Sequence, residues 1–216
     1  MDDAASIRVL IVDDHPMVRD GLRSMLGVDG IEVVGEAATA AAALREAQRL
    51  SPDVVLLDVS LPDGDGLSAL AAIKARRPRT SVLIVTMHDE PRLVRKAIEA
   101  GAAGYVLKGI GRPELIASLR AVLDGESVVD RALLQSVITD TPMAATTCGP
   151  KAEPLTAVER DVLRLIAAGL TNREISDRMR WSVATAKKYV QRILEKLGVS
   201  DRTQAAVEAV RAGLLD

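Results

Sequence analysis

Five short β-branched apolar runs alternate with five amphipathic helical patterns over residues 7–123, and this alternation limits the fold more than any other feature. The runs are 7–12 (IRVLIV), 32–36 (EVVGE), 54–57 (VVLL), 81–85 (SVLIV) and 105–107 (YVL). Four of these runs hold three or four consecutive apolar residues without polar alternation, which fits strands covered on both faces. Between them, 16–26, 40–49, 66–76, 91–100 and 113–123 carry apolar residues at three-and-four spacing, several opening with Pro near the first turn. Strict β-α alternation predicts an α/β domain: a doubly wound, five-stranded parallel sheet with helices on both faces.

The rest of the chain has no strand signal. It predicts a small all-α unit of four helices at 158–167, 172–179, 183–196 and 204–212, with capping boxes at Thr156-x-x-Glu159 and Thr171-x-x-Glu174 and helix stops at Gly169 and Gly198. Between the two parts, 139–154 (TDTPMAATTCGPKAEP) lacks periodicity and is expected to be a flexible linker, entered through a short helix at 129–138. The expected partition is therefore 1–127, a linker over 128–154, and 155–216. Residues 155–216 hold eleven Lys/Arg against eight Asp/Glu, a balance of +3, whereas 1–154 hold 17 against 22, a balance of −5. An acidic part suited to a cation thus precedes a mildly basic part suited to nucleic acid.

Composition removes several classes. With no Phe, one Trp and two Tyr, the chain cannot supply the stacking surface of an aromatic-dependent RNA-binding module. A lone Cys148 allows neither an internal disulfide nor a thiolate metal cluster. No apolar run approaches the roughly 20 residues that span a bilayer, and the first residues, MDDAASIR, are acidic where a signal peptide is basic, so a cytoplasmic location without membrane partners is expected.

In an open parallel sheet, chemistry gathers beyond the carboxyl ends of the strands. Here the first run ends in Asp13 and Asp14, the third in Asp58, the fourth in Thr86 and the fifth in Lys108. Three carboxylates, a hydroxyl and an ammonium are thereby expected on one edge. Clustered carboxylates repel unless a cation neutralises them, and hard oxygen ligands suit Mg²⁺. An Asp beside Mg²⁺ can attack a phosphoryl group as a carboxylate nucleophile, with Thr86 and Lys108 contacting the phosphoryl oxygens.

Residues 7–124 resemble the receiver domain of two-component response regulators through VDDHPMVRDGL, LLDVSLPDGDGL, VTMHD and GYVLKG, in that order and spacing. The resemblance implies a flavodoxin-like fold in which Asp58 accepts phosphate from a histidine kinase. It also implies that Asp13 and Asp14 bind Mg²⁺ with Asp58 and the backbone carbonyl of Ser60, and that Thr86 and Tyr105 act as switch residues. Aspartyl-phosphate phosphatases of the haloacid-dehalogenase type share the nucleophile, metal, Thr and Lys, but carry a second Asp two residues after the nucleophile as general acid and base. Ser60 stands there instead, so turnover of small substrates, and hence an enzyme, is not expected.

On the helix at 183–196, Ala186, Val190, Ile193 and Leu194 form an apolar stripe, and Thr185, Lys188, Gln191 and Arg192 surround the other side, with Lys187 at its flank. With 172–179 and the turn Arg180-Trp181-Ser182 it predicts a helix-turn-helix. Trp181 is expected to pack under that turn. Residues 155–212 resemble the LuxR-type helix-turn-helix through LTAVERDVLRLIAAGLTNREIS and TAKKYVQRILEKLGVSDRTQA, and the two resemblances together identify the NarL/FixJ subfamily. They make Lys187, Lys188 and Gln191 candidate base readers and Thr185 and Arg192 candidate phosphate contacts on promoter DNA, bound as a homodimer. Val183 and Ala186 depart from the polar residue and the Val common in the family at these positions. The implied function is a phosphorylation-controlled transcriptional regulator; the alternative is a DNA-binding regulator whose receiver responds to partner binding without phosphorylation.

Overall fold

The computed structural model describes residues 6–27, 30–126, 128–129, 155–199 and 202–211. The sheet strands are β1 (Ile7–Val12), β2 (Ile31–Ala37), β3 (Val54–Leu57), β6 (Ser81–Thr86) and β7 (Gly104–Leu107); a separate pair, β4 (Ser60–Leu61) and β5 (Gly64–Asp65), follows β3. The five-stranded sheet has the order β2-β1-β3-β6-β7, with every pairing parallel. Crossovers that run from β1 to β2 on one side and then to β3 on the other give this order, with β3 at its centre, and they leave a crevice beyond the carboxyl ends of β1 and β3.

Alternate strand residues serve two cores. Leu10, Val12, Val55, Leu57, Val82 and Ile84 join one apolar cluster, and Val9, Ile11, Val54, Leu56, Leu83 and Val85 the other. The first core is completed by α2 (Ala40–Leu50), α3 (Gly66–Arg76) and α4 (Pro91–Glu99), the second by α1 (Pro16–Leu26) and α5 (Arg112–Leu123). Fully burying a Leu or Ile stabilises by about 1.5–3 kcal/mol, so strands apolar on both sides favour this three-layer arrangement over a one-faced sheet.

Two boundaries differ from expectation for physical reasons. β4 and β5 pair antiparallel, Ser60 with Asp65 and Leu61 with Gly64, over too few residues to produce a period, so the stretch reads as loop from sequence. The last helix begins two residues early, at Arg202, because Arg202 and Thr203 are buried polar residues that an apolar pattern misses.

The C-terminal helices are α6 (Ala157–Ala167), α7 (Asn172–Met179), α8 (Val183–Leu197) and α9 (Arg202–Arg211). Both expected capping boxes form: Thr156 and Thr171 each accept from the backbone of Glu159 and Glu174, whose carboxylates reach back. Gly169 and Gly198 adopt left-handed φ of 77° and 68°. Val162, Ile166, Ile175, Ala186, Val190 and Ile193 form one apolar cluster, which Trp181 edges while stacking on Tyr189 at 4.5 Å. Glu159 is buried against Lys196 Nζ at 2.8 Å. Burial alone would raise its carboxyl pKa, but the Lys196 and Thr156 hydrogen bonds outweigh it and hold the group below the usual range. Apart from Val129, the expected helix at 129–138 and linker at 139–154 lie outside the described residues. Among those residues, no helix is long and apolar enough to cross a membrane.

Candidate functional site

The residues at the strand ends converge. Asp13 and Asp58 are 1% and 3% exposed, and Thr86, the last residue of β6, is fully buried. Lys108, just past β7, places Nζ 2.7 Å from Asp13 Oδ2 and 2.6 Å from Asp58 Oδ2, clamping two strand ends together. Burial opposes its charge, yet the hydrogen bonds to Asp13 and Asp58 prevail and raise its pKa. Main-chain bonds fix the frame: Asp58 N donates to Val12 O at 2.9 Å and Lys108 N to Thr86 O at 2.7 Å.

The β4–β5 hairpin folds back over this pocket, and glycine makes that possible. A Cβ on Gly66 would lie 2.4 Å from Asp58 O and 2.6 Å from Val59 Cα, contacts only a bare Cα escapes. Asp63 in the hairpin accepts from Ala40 N at 2.7 Å and Ala41 N at 3.0 Å, capping α2. The Ala41 and Ala40 amides hold its carboxyl below the usual range, as expected at a helix N-terminus.

One carboxylate oxygen is unspent. Asp14 Oδ1 is buried without a hydrogen-bond partner; His15 Nδ1 lies 2.6 Å away but lacks hydrogen-bonding geometry. Asp13, Asp14 and His15 can each offer a ligand atom within 4.8 Å of the others. Several carboxylates facing a single ammonium, with an orphaned oxygen, fit a hard divalent cation such as Mg²⁺.

His88, two residues beyond Thr86, was not singled out from the sequence. Its Nε2 lies 3.2 Å from Ser60 Oγ, its amide is 3.5 Å from Thr86 Oγ1, and its carbonyl accepts from Tyr105 OH at 2.7 Å. The β6–α4 loop thus links the β4–β5 hairpin to the inward-turned Tyr105. Burial pushes the Tyr105 phenol up to about 12, with Glu90, Asp89 and Asp58 adding to the effect. Its position in VTMHD, on the strand end beside Thr86, is the only sequence signal for His88.

The second candidate site is α8. Ser182 Oγ caps it, accepting from Thr185 N at 3.1 Å and lying 2.9 Å from Thr185 Oγ1, so the Thr185 hydroxyl serves the helix start. Lys188, Gln191 and Arg192 are exposed, with Gln191 Nε2 bonded to Glu195 Oε1 at 3.1 Å. Lys187 instead meets Asp124, at the end of α5, at 2.6 Å, and Asn172 Nδ2 donates to Asp124 O at 3.3 Å. Gln191 and Leu194 border a cavity of about 240 Å³ whose other walls include Lys74, Arg79 and Glu126. Beside it, Val207 of α9 is buried in the same cluster as Ile98 of α4, and Gln204 Nε2 reaches Glu99 O at 3.5 Å. α8 therefore faces the α/β domain through Lys187, Gln191 and Leu194.

A doubly wound α/β domain with an acidic strand-end pocket, joined to a helix-turn-helix, defines a class of two-part signalling proteins. Residues 9–120 match the response regulator receiver domain, and residues 153–209 match the LuxR family of bacterial regulatory proteins. The chain is 40% identical over 211 residues to the probable transcriptional regulatory protein NarL of Mycobacterium tuberculosis, covering 97% of this chain and 96% of that one. It is 41% identical over 207 residues to the DNA-binding transcriptional activator DevR/DosR of the same organism, covering 94% of both. A solved structure of two RcsB dimers bound to two parallel DNAs superposes with a TM-score of 0.56 at 26% identity, covering 96% of this chain and 98% of that one. This chain belongs to the NarL/FixJ family of response regulators, two-component transcriptional regulators with a receiver and a LuxR-type DNA-binding domain.

Proposed function

We propose that Asp58 is the phosphoryl acceptor, that a histidine kinase is the donor, and that the modification controls DNA binding by the 155–216 domain. The observation that carries this is Lys108 Nζ bridging Asp13 and Asp58 beside a buried Thr86. A carboxylate oxygen of Asp58 bonds to phosphorus as the bond to the donor imidazole nitrogen breaks, and the electron pair stays on that nitrogen. Asp13, Asp14, Asp58 and the Ser60 carbonyl would hold Mg²⁺, which offsets charge on the transferring oxygens. Lys108 and Thr86 contact those oxygens. Ser60 stands two residues after Asp58, where a hydrolase would carry its second Asp, so the receiver, residues 1–127, stores the phosphoryl group and does not turn over small substrates.

Thr86 shifting toward the phosphoryl group moves the loop that carries His88, and with it the Tyr105 hydroxyl bonded to the His88 carbonyl. α4, which begins at the end of that loop, carries α9, so the displacement loosens the seat of the effector domain. Release across the 128–154 linker frees Lys187, and Lys187, Lys188 and Gln191 then read base edges while Thr185 and Arg192 meet phosphates. Binding is as a homodimer, as with the RcsB dimers on DNA, in the cytoplasm. The test is acetyl phosphate labelling in Mg²⁺ with mass mapping of the adduct. Asp58→Asn should remove the label, and labelled wild-type protein should bind promoter DNA more tightly. Undiminished labelling of Asp58→Asn sinks the assignment; equal DNA affinities favour control by partner binding.

A further inference from the structure

The carbonyl of Asp13 is the least expected contact of the acidic pocket. Arg19, one turn into α1, donates from Nη1 to Asp13 O at 2.7 Å while its Nε donates to Glu36 Oε2 of β2 at 3.1 Å. The two side chains are 17% and 20% exposed, and Arg23 pairs with the other oxygen of Glu36. On the opposite side of the same residue, Asp13 N donates to Ala37 O at 3.1 Å, and His15 N donates to Asp13 Oδ1 at 2.9 Å.

These bonds hold Asp13 through both of its peptides and through its side chain. A peptide is planar, so fixing the Asp13 carbonyl fixes the plane that runs to Asp14 Cα and hence the point from which the Asp14 side chain leaves the chain. A forked, always-charged guanidinium donates to a carbonyl and a carboxylate from two separate nitrogens in fixed directions, whereas an ammonium is a single point. Glu36 orients the fork and supplies the counter-charge that lets it remain there half-buried.

We propose that Arg19 and Glu36 are positioning residues for the acidic pocket, holding the Asp13–Asp14 peptide so that both carboxylates are presented to Mg²⁺. The proposal rests on the metal reading of the pocket given above. Neither residue touches the cation. Their role is the outer-shell one, in which partners of the ligands set how well the ligands are aimed.

The test is a calorimetric Mg²⁺ titration of the full unphosphorylated chain, paired with acetyl phosphate labelling across Mg²⁺ concentrations. Arg19→Ala should weaken Mg²⁺ binding about tenfold. Arg19→Lys should fall between wild type and Arg19→Ala, and Glu36→Gln should weaken binding by less than Arg19→Ala. Labelling should need correspondingly more Mg²⁺ yet reach the wild-type rate at saturation, a split that mere loosening of α1 against β2 would not produce. Unchanged Mg²⁺ affinity in a folded Arg19→Ala overturns the proposal. Should that variant not fold, unchanged affinity in the isosteric Glu36→Gln overturns it equally. A wild-type chain that takes up no Mg²⁺ removes the metal reading itself, which separates that failure from the failure of the pair.

Discussion

Among the described residues, two places bury carboxylate against lysine, and they are put to opposite use. In the effector domain, one carboxylate, Glu159, meets one ammonium, Lys196, and the Thr156 amide takes up further acceptor capacity. Glu159 is satisfied and the group is a staple. In the receiver, Lys108 faces both Asp13 and Asp58, Asp14 stands beside them, and Asp14 Oδ1 has no hydrogen bond. Asp13 and Asp58 share one ammonium there, and that deficit suits a cation. A buried carboxylate becomes structural or chemical according to whether its neighbours satisfy it.

Removing the lysine at each place is the sharpest way to break this comparison. Lys196→Met leaves Glu159 buried and unpaired, and should cost about 3–5 kcal/mol, with no relief from Mg²⁺. Trp181, the sole Trp, lies in the effector domain, so its fluorescence during a thermal melt reports that loss. Lys108→Met should destabilise less in millimolar Mg²⁺ than in EDTA, because a cation can take the place of the ammonium. Equal Mg²⁺ dependence of the two variants would erase the distinction.

The staple also predicts a pH response. Glu159 has a depressed folded pKa, so its stabilisation is present above its unfolded value near 4.5 and is lost as pH falls through the lower folded value. Acid melts should show this loss in wild type and not in Lys196→Met.

The exposed face of α8 provides the contrast to both buried sites, and smaller effects are expected. Lys188→Ala should lose roughly 1–3 kcal/mol on its specific site and relax base preference, whereas Arg192→Ala should weaken binding to every sequence and lower the salt slope by about one. Footprinting and salt titration separate the two. Equal loss on specific and random DNA for Lys188→Ala would make it a phosphate contact.

The smallest effect belongs to the interdomain pair. Asp124 and Lys187 are 57% and 41% exposed, so their contact is worth at most about 1 kcal/mol and is screened by salt. Asp124→Ala should raise the DNA affinity of unphosphorylated protein by no more than about fivefold, and by less at high salt, read by fluorescence anisotropy. A larger gain would mean that one exposed pair, and not the apolar seat of α9 on α4, governs closure.

The order along the chain of the five sheet strands and of the helices around them, the two cores and the capping boxes were legible in the sequence because each depends on local spacing: whether a segment is covered on one face or two is written into its own residues. Asp13, Asp14, Asp58, Thr86 and Lys108 were legible for the same reason, each marking the end of an apolar run. What only the tertiary structure decided involves partners from different elements with no common pattern. Arg19 reaching Asp13 O, His88 reaching Ser60, Asp63 capping α2 and Val207 entering the receiver core all depend on which strands become neighbours. Strand order and domain seating are set by packing over the whole chain, and a contact made across them leaves no period in either segment that forms it.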